Sequence, residues 1–224
     1  AVNPDLLEAL AQHFIKSGFD MKDLIRTICQ SKTYQLSSIP NEFNAKDKTY
    51  FSRYYPKRLN AEVLYDAINQ MTGSQPSFTG LPVGTRAVQL PDNSFNSQSY
   101  FLTVFGRPDS SSSCECERSS DASLAQSLHL LNSKDIQGKL SSGSGRAAKL
   151  GDTKDAREVE AKIRELFLLA FSRQPSGSEV LLARHHLDRE VKDDKGNKKP
   201  VAAKESYEDI IWALFNTKEF LFNH

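Results

Sequence analysis

Leu7, Leu10 and Phe14 recur at the three- and four-residue spacing of one helix face. Asn3 and Pro4 ahead of them suit an N-cap and first helical position, and Gly18 suits a stop. Asp20 can cap a second helix carrying Leu24, Ile25, Ile28 and Cys29, which places Cys29 in the core as a small hydrophobe. Asn60 opens the clearest helix: Leu59 before the cap and Leu64 after it form a hydrophobic staple, Gly73 fits the C′ position, and Val63, Leu64, Ala67, Ile68 and Met71 make the inner face. Further helices are expected over about 121–131, with Leu124, Leu128 and Leu131 aligned, and over about 155–172, burying Val159, Ile163, Leu166, Phe167 and Phe171. Ser176 and Glu179 form an S-x-x-E capping box for a helix running through Val191. A last helix, about 206–222, carries Ile210, Ile211, Leu214 and Phe215.

These stripes must bury one another, so the pattern predicts an all-α fold, an irregular bundle of about seven helices. The chain is read as a single helical domain over residues 1–224. Residues 33–59 and 74–120 show little helical period yet hold Tyr50, Phe51, Tyr54, Tyr55, Tyr100, Phe101 and Phe105. Aromatic content argues for long ordered loops, within which TRAVQL (85–90) and YFLTVF (100–105) are candidates for a short β-ribbon. Stretches 141–154 and 193–204, with SSGSG and DDKGNKKP, read as flexible loops.

Composition narrows the function classes. Hydrophobic residues make up 38% and charged residues 25%, a foldable balance. A net charge of +1 gives no electrostatic reason to expect nucleic acid, which leaves the basic-aromatic cluster Arg53, Tyr54, Tyr55, Lys57 and Arg58 with a structural reading. No apolar run approaches the roughly 20 residues of a membrane helix. The opening AVNPDLLEAL reads like the middle of a protein, so the chain is taken as a portion of a larger one.

Candidate chemistry concentrates in SSSSCECERSS, residues 110–120. Cys116 just before a helix start would be favoured as a thiolate by the helix dipole, but Glu115 and Glu117 oppose that and Arg118 offsets them only in part. Cys114, Glu115 and Cys116 could ligate a metal, yet the chain has no second C-x-C, C-x-x-C or H-x-x-x-H to complete a zinc site. The favoured reading is a C-x-C loop held by packed or disulfide-linked cysteines, with a metal site and thiol chemistry as alternatives. Arg86, Arg107 and Arg118, with Tyr54 and Tyr55, could form a ligand or partner loop for a carboxylate, sulfate or sugar; arginines in such loops more often bond backbone carbonyls and buried carboxylates. His185 and His186 are adjacent and point to different helix faces, which argues against joint metal binding. A catalytic triad, a phosphate-binding glycine loop and HExxH are all missing, and no C-x-x-C-H attaches haem within these residues.

Five blocks, in order, resemble a known family: NPDLLEALAQHFIKSGFDMKDLIRTICQSKTYQLSS, YYPKRLNAEVLYDAINQMTG, GLPVGTRAVQLPD, FGRPDSSSSCECERSSDASLAQSLHLLNS and WALFNTKEFLFNH. They are similar to the planctomycete-specific domain of unknown function that closes cytochrome c-type multidomain proteins. The resemblance implies a bacterial periplasmic or cell-envelope setting, upstream domains of the same polypeptide as partners, and haem c in a separate upstream domain. It carries no catalytic residues and leaves carbohydrate as a candidate partner. The expectation is thus a non-catalytic or accessory helical module, scaffolding or binding a partner. The alternatives are an oxidoreductase domain acting on a sugar or alcohol, passing electrons to the upstream cytochrome, and a metal-binding module at the Cys-Glu-Cys loop.

Overall fold

A computed structural model describes residues 3–47, 49–92, 94–95, 99–108, 124–152, 156–192 and 196–223. It is helical, with short antiparallel strand pairing, and so an irregular all-α fold. The chain divides into two compact units, Ala1–Lys57 and Arg58–Asn223.

The first unit holds helices α1 (Pro4–Lys16) and α2 (Met21–Cys29). Both start as the sequence predicts. The Asn3 side chain accepts from the Leu6 N–H at 3.0 Å, and Asp20 accepts from the N–H groups of Lys22 and Asp23 at 2.8 and 3.1 Å. His13 Nε2 lies 2.7 Å from Asp23 Oδ2 and ties the two helices together. The rest of the unit is rich in Asx turns: the Asn41 side-chain oxygen accepts from Phe43 and Asn44, and the Asp47 carboxylate from Thr49, Tyr50 and Ser52. Those bonds, led by the Ser52 hydroxyl, hold the Asp47 carboxyl well below the usual carboxylate range. No described residue of this unit is buried. Cys29 is free and exposed, against the expectation that it sits in a core, because the α2 face that carries it is not covered.

The second unit contains the core. Helix α3 (Ala61–Thr72) is enclosed, with Leu64, Ile68 and Met71 at 1% exposure or less. Gly73 closes it at φ 72°, and a Cβ there would come within 3.1 Å of the Arg146 nitrogen. Val63, expected inside, is 41% exposed. The two expected strands are helical instead: residues 87–89 form a 3₁₀ turn and Tyr100–Val104 form α4, whose Phe101 and Leu102 are buried with Phe105. Helix α5 (Leu124–Asn132) also presents a different face, with Gln126 and Leu130 inward and Leu124, Leu128 and Leu131 exposed. The Gln126 amide fixes that rotation, accepting from Arg58 at 2.5 Å and donating to the Val104 carbonyl at 3.0 Å.

Two short helices follow, α6 (Lys134–Ser141) and α7 (Arg146–Gly151), the second inside a stretch whose glycines and serines suggest a flexible loop. Helix α7 packs on α10 (Ala203–Phe215) so closely that a Cβ on Gly151 would lie 2.8 Å from the Lys204 nitrogen. Cations finish the neighbouring helix ends: Lys204 donates to the Ser141 carbonyl at 2.8 Å, Lys162 to that of Leu150 at 2.9 Å, and Arg146 to those of Met71 and Gln70. Helix α8 (Ala156–Phe171) buries Ile163, Leu166, Phe167 and Phe171, and α10 buries Ile210, Ile211, Leu214 and Phe215, all as expected. Ser176 and Glu179 do form a capping box on α9 (Gly177–Leu187). That helix ends before Val191, which pairs with Lys199 in an antiparallel ladder of Glu190–Lys192 with Lys198–Pro200. The expected last helix is broken at Asn216, with α11 spanning Lys218–Leu221.

Candidate functional site

Between α3 and the following loop the second unit has a cleft of about 600 Å³ lined by Val63, Asp66, Asn69, Gln70, Arg86 and Val88, among others. Asp66 builds it. From mid-helix its carboxylate accepts from the N–H groups of Ala87 and Val88, at 2.7 and 3.2 Å, and so caps the 3₁₀ turn across 21 residues of sequence. Arg86 also lines the cleft and is exposed. Asn69 is 2% exposed; its NH2 donates to the Tyr65 carbonyl at 2.9 Å, while its side-chain oxygen has no hydrogen-bond partner.

The other sequence candidates lie elsewhere. Arg107 is buried and pairs with the buried Glu62 at 3.2 Å, and it also donates to the Asp92 carbonyl at 3.0 Å. It ties the chain together and is not among the residues lining the cleft with Arg86. Tyr54 and Tyr55 belong to the first unit. Tyr54 packs edge-on against Tyr34, ring centroids 6.0 Å apart, and Tyr55 donates to the Asp47 carbonyl at 2.9 Å beneath the Arg53 guanidinium. Cys114, Glu115, Cys116 and Arg118 lie outside the described residues. Among the described residues no group of three or more His, Cys, Asp or Glu side chains could hold a metal ion.

Two further polar clusters have no counterpart among the sequence candidates. Arg173 sits between two carboxylates, with Nε 2.6 Å and Nη2 2.8 Å from Glu219, and Nη1 3.0 Å and Nη2 2.8 Å from Glu179. That fork holds the Glu179 carboxyl down at about 2. His186 lies 3.2 Å from Asp209, which Arg189 also engages, beside an apolar slot of about 280 Å³ formed by Phe167, Leu182, Ala183, Ile210 and Leu214. Neither cluster is visible locally, because its partners come from separate parts of the chain. Only the capping role of Glu179 is written in adjacent residues.

The fold and these sites define an all-helical protein whose described polar groups mostly brace one element against another. The chain belongs to PSD1, a protein family of unknown function (DUF1553), which it matches over residues 1–187. No curated protein and no solved structure matches it. No helix among the described residues is long and apolar enough to cross a membrane.

Proposed function

We propose that the protein is a non-catalytic docking module whose first unit binds another domain of the same polypeptide. The carrying observation is that α1 and α2 have no buried residue, while Leu6, Leu7, Ile15, Met21, Ile25 and Ile28 are exposed. Large apolar side chains left in solvent on two helices that pack on each other support an interaction site. The sequence resemblance supplies the occupant and the setting: a cytochrome c-type domain carrying haem c, in the envelope of a planctomycete bacterium. The arginine pairs with Glu62, Glu165, Glu179 and Glu219 support a structural role for the polar groups rather than an oxidoreductase site, since each guanidinium is already matched to a carboxylate. Carbohydrate remains a candidate only through the resemblance.

The test compares amide hydrogen exchange of α1 and α2 in the 224-residue chain with that in the multidomain polypeptide. Strong added protection over residues 4–29 in the longer protein supports docking. Equal exchange in both overturns it.

A further inference from the structure

The loop that follows α2 in the first unit holds large apolar side chains out in water. Ile39 is 78% exposed, Phe43 89%, Tyr50 86% and Phe51 51%. Side chain-to-backbone bonds fix the turns that carry them. The Asn41 side-chain oxygen accepts from the N–H groups of Phe43 and Asn44, and the Asp47 carboxylate from those of Thr49, Tyr50 and Ser52. The Asn44 NH2 donates to the Ser52 carbonyl at 3.3 Å, which brings the neighbour of Phe43 beside the neighbour of Phe51. Tyr55 braces the same loop: its ring meets that of Phe51 edge-on, centroids 6.2 Å apart, and its hydroxyl donates to the Asp47 carbonyl at 2.9 Å.

Charge adds an independent sign. Residues 31–57 carry five lysines and arginines against Glu42 and Asp47, a balance of +3, whereas residues 1–30 carry three against four acids, a balance of −1. The positive charge of the unit is thus gathered in the loop, where Lys46 and Lys57 are exposed. Exposure of 78–89% belongs to side chains that stand out singly. A protein partner would need a separate pocket for each of them. A lipid surface takes isolated apolar side chains without matching shape, and anionic headgroups attract the cations around them.

We propose that this loop binds the surface of an anionic lipid bilayer, a contact of the first unit separate from the face of α1 and α2. Ile39, Phe43 and Tyr50 enter the boundary between headgroups and acyl chains, and Lys46 and Lys57 meet the lipid phosphates. Binding of this kind grows with the apolar area that enters the bilayer and with the charge beside it, so both sets of residues contribute. Because the turns are already fixed, little chain order is lost when the rings enter.

Co-sedimentation of the 224-residue chain with vesicles of phosphatidylcholine, alone or mixed with phosphatidylglycerol, tests this. The mixed vesicles should bind the chain about tenfold more tightly than phosphatidylcholine alone. Phe43→Ser and Tyr50→Ser, at exposed positions, should keep the wild-type melting temperature and weaken binding by about tenfold. Lys46→Gln should weaken binding to the mixed vesicles by about fivefold. In a Phe43→Trp variant the added indole emission should move to shorter wavelength when vesicles are added. Leu7→Ala and Ile25→Ala should bind vesicles like the wild type, which separates this contact from docking through α1 and α2. The proposal is overturned if the chain stays in solution with mixed vesicles, if phosphatidylcholine alone binds it equally, or if Phe43→Ser and Tyr50→Ser bind like the wild type. An unmoved Phe43→Trp emission, or an equal loss from Leu7→Ala, overturns it as well.

Discussion

Residues 61–72 and residues 4–16 are helices of nearly equal length, each with an apolar face and a sound N-terminal signal, yet they end in opposite surroundings. Helix α3 has eight buried residues and α1 has none. The difference lies in what comes back to cover each face. Helix α3 is covered by the 3₁₀ turn, by α4, and by α6, α7, α8 and α10. Helix α1 packs on α2, where Leu10, Phe14, Leu24 and Thr27 are only half-buried, and Leu7 and Ile25 stay in solvent. Amphipathicity thus states a requirement for burial, and only the complete assembly says how it is met.

Core truncation should expose this contrast most strongly. Leu166→Ala or Ile211→Ala removes a side chain with 0% exposure and should cost about 2–5 kcal/mol, because the enclosed space cannot collapse. Leu7→Ala or Ile25→Ala in the first unit should cost less than about 0.5 kcal/mol. Urea denaturation of the four variants measures both, and equal losses in the two units would erase the distinction between them.

Close packing in the second unit should register in a single methyl group. Gly151→Ala forces a Cβ to within 2.8 Å of the Lys204 backbone nitrogen, so α7 and α10 must separate, at about 1–3 kcal/mol. The same change at Gly138, whose Cβ would meet nothing within 4 Å, should be neutral or stabilising in the same assay.

A smaller effect concerns pH. Glu179 has its folded pKa lowered from 4.5 to about 2, so it favours the folded state above pH 4.5, and that contribution is lost as pH falls toward 2. Wild type should therefore lose stability over this window, and Glu179→Gln should flatten the loss. Acid titration followed by circular dichroism checks the slope, and an unchanged slope would show that the Arg173 fork contributes no stability.

How much of this is legible in the sequence depends on how far apart the interacting residues lie. The α3 staple of Leu59 with Leu64, the Gly73 stop and the Ser176–Glu179 box are local chemistry, and each can be read directly. Residues 100–105 read as a strand because five helical residues give barely one turn of period, while Tyr, Phe, Thr and Val score as β-formers. The face of α5 is misassigned because three leucines outweigh one glutamine in any periodicity, yet Gln126 is fixed by Arg58 and Val104 from elsewhere in the chain. The logic that places Ile68 inside also places Cys29 there, and only the covering elements separate the two. Arg107 follows the commoner role of loop arginines, whereas Asp66 and Asn69 give no sign of theirs, since neither partner nor cleft is encoded within α3.

Hydrogen exchange of the 224-residue chain probes the contrast between the two units most directly. Amides of α1 and α2 should exchange through local opening, at rates near those of unfolded peptides, while those of α3, α8 and α10 open only with global unfolding. Protection of α1 and α2 equal to that of α3 would contradict it.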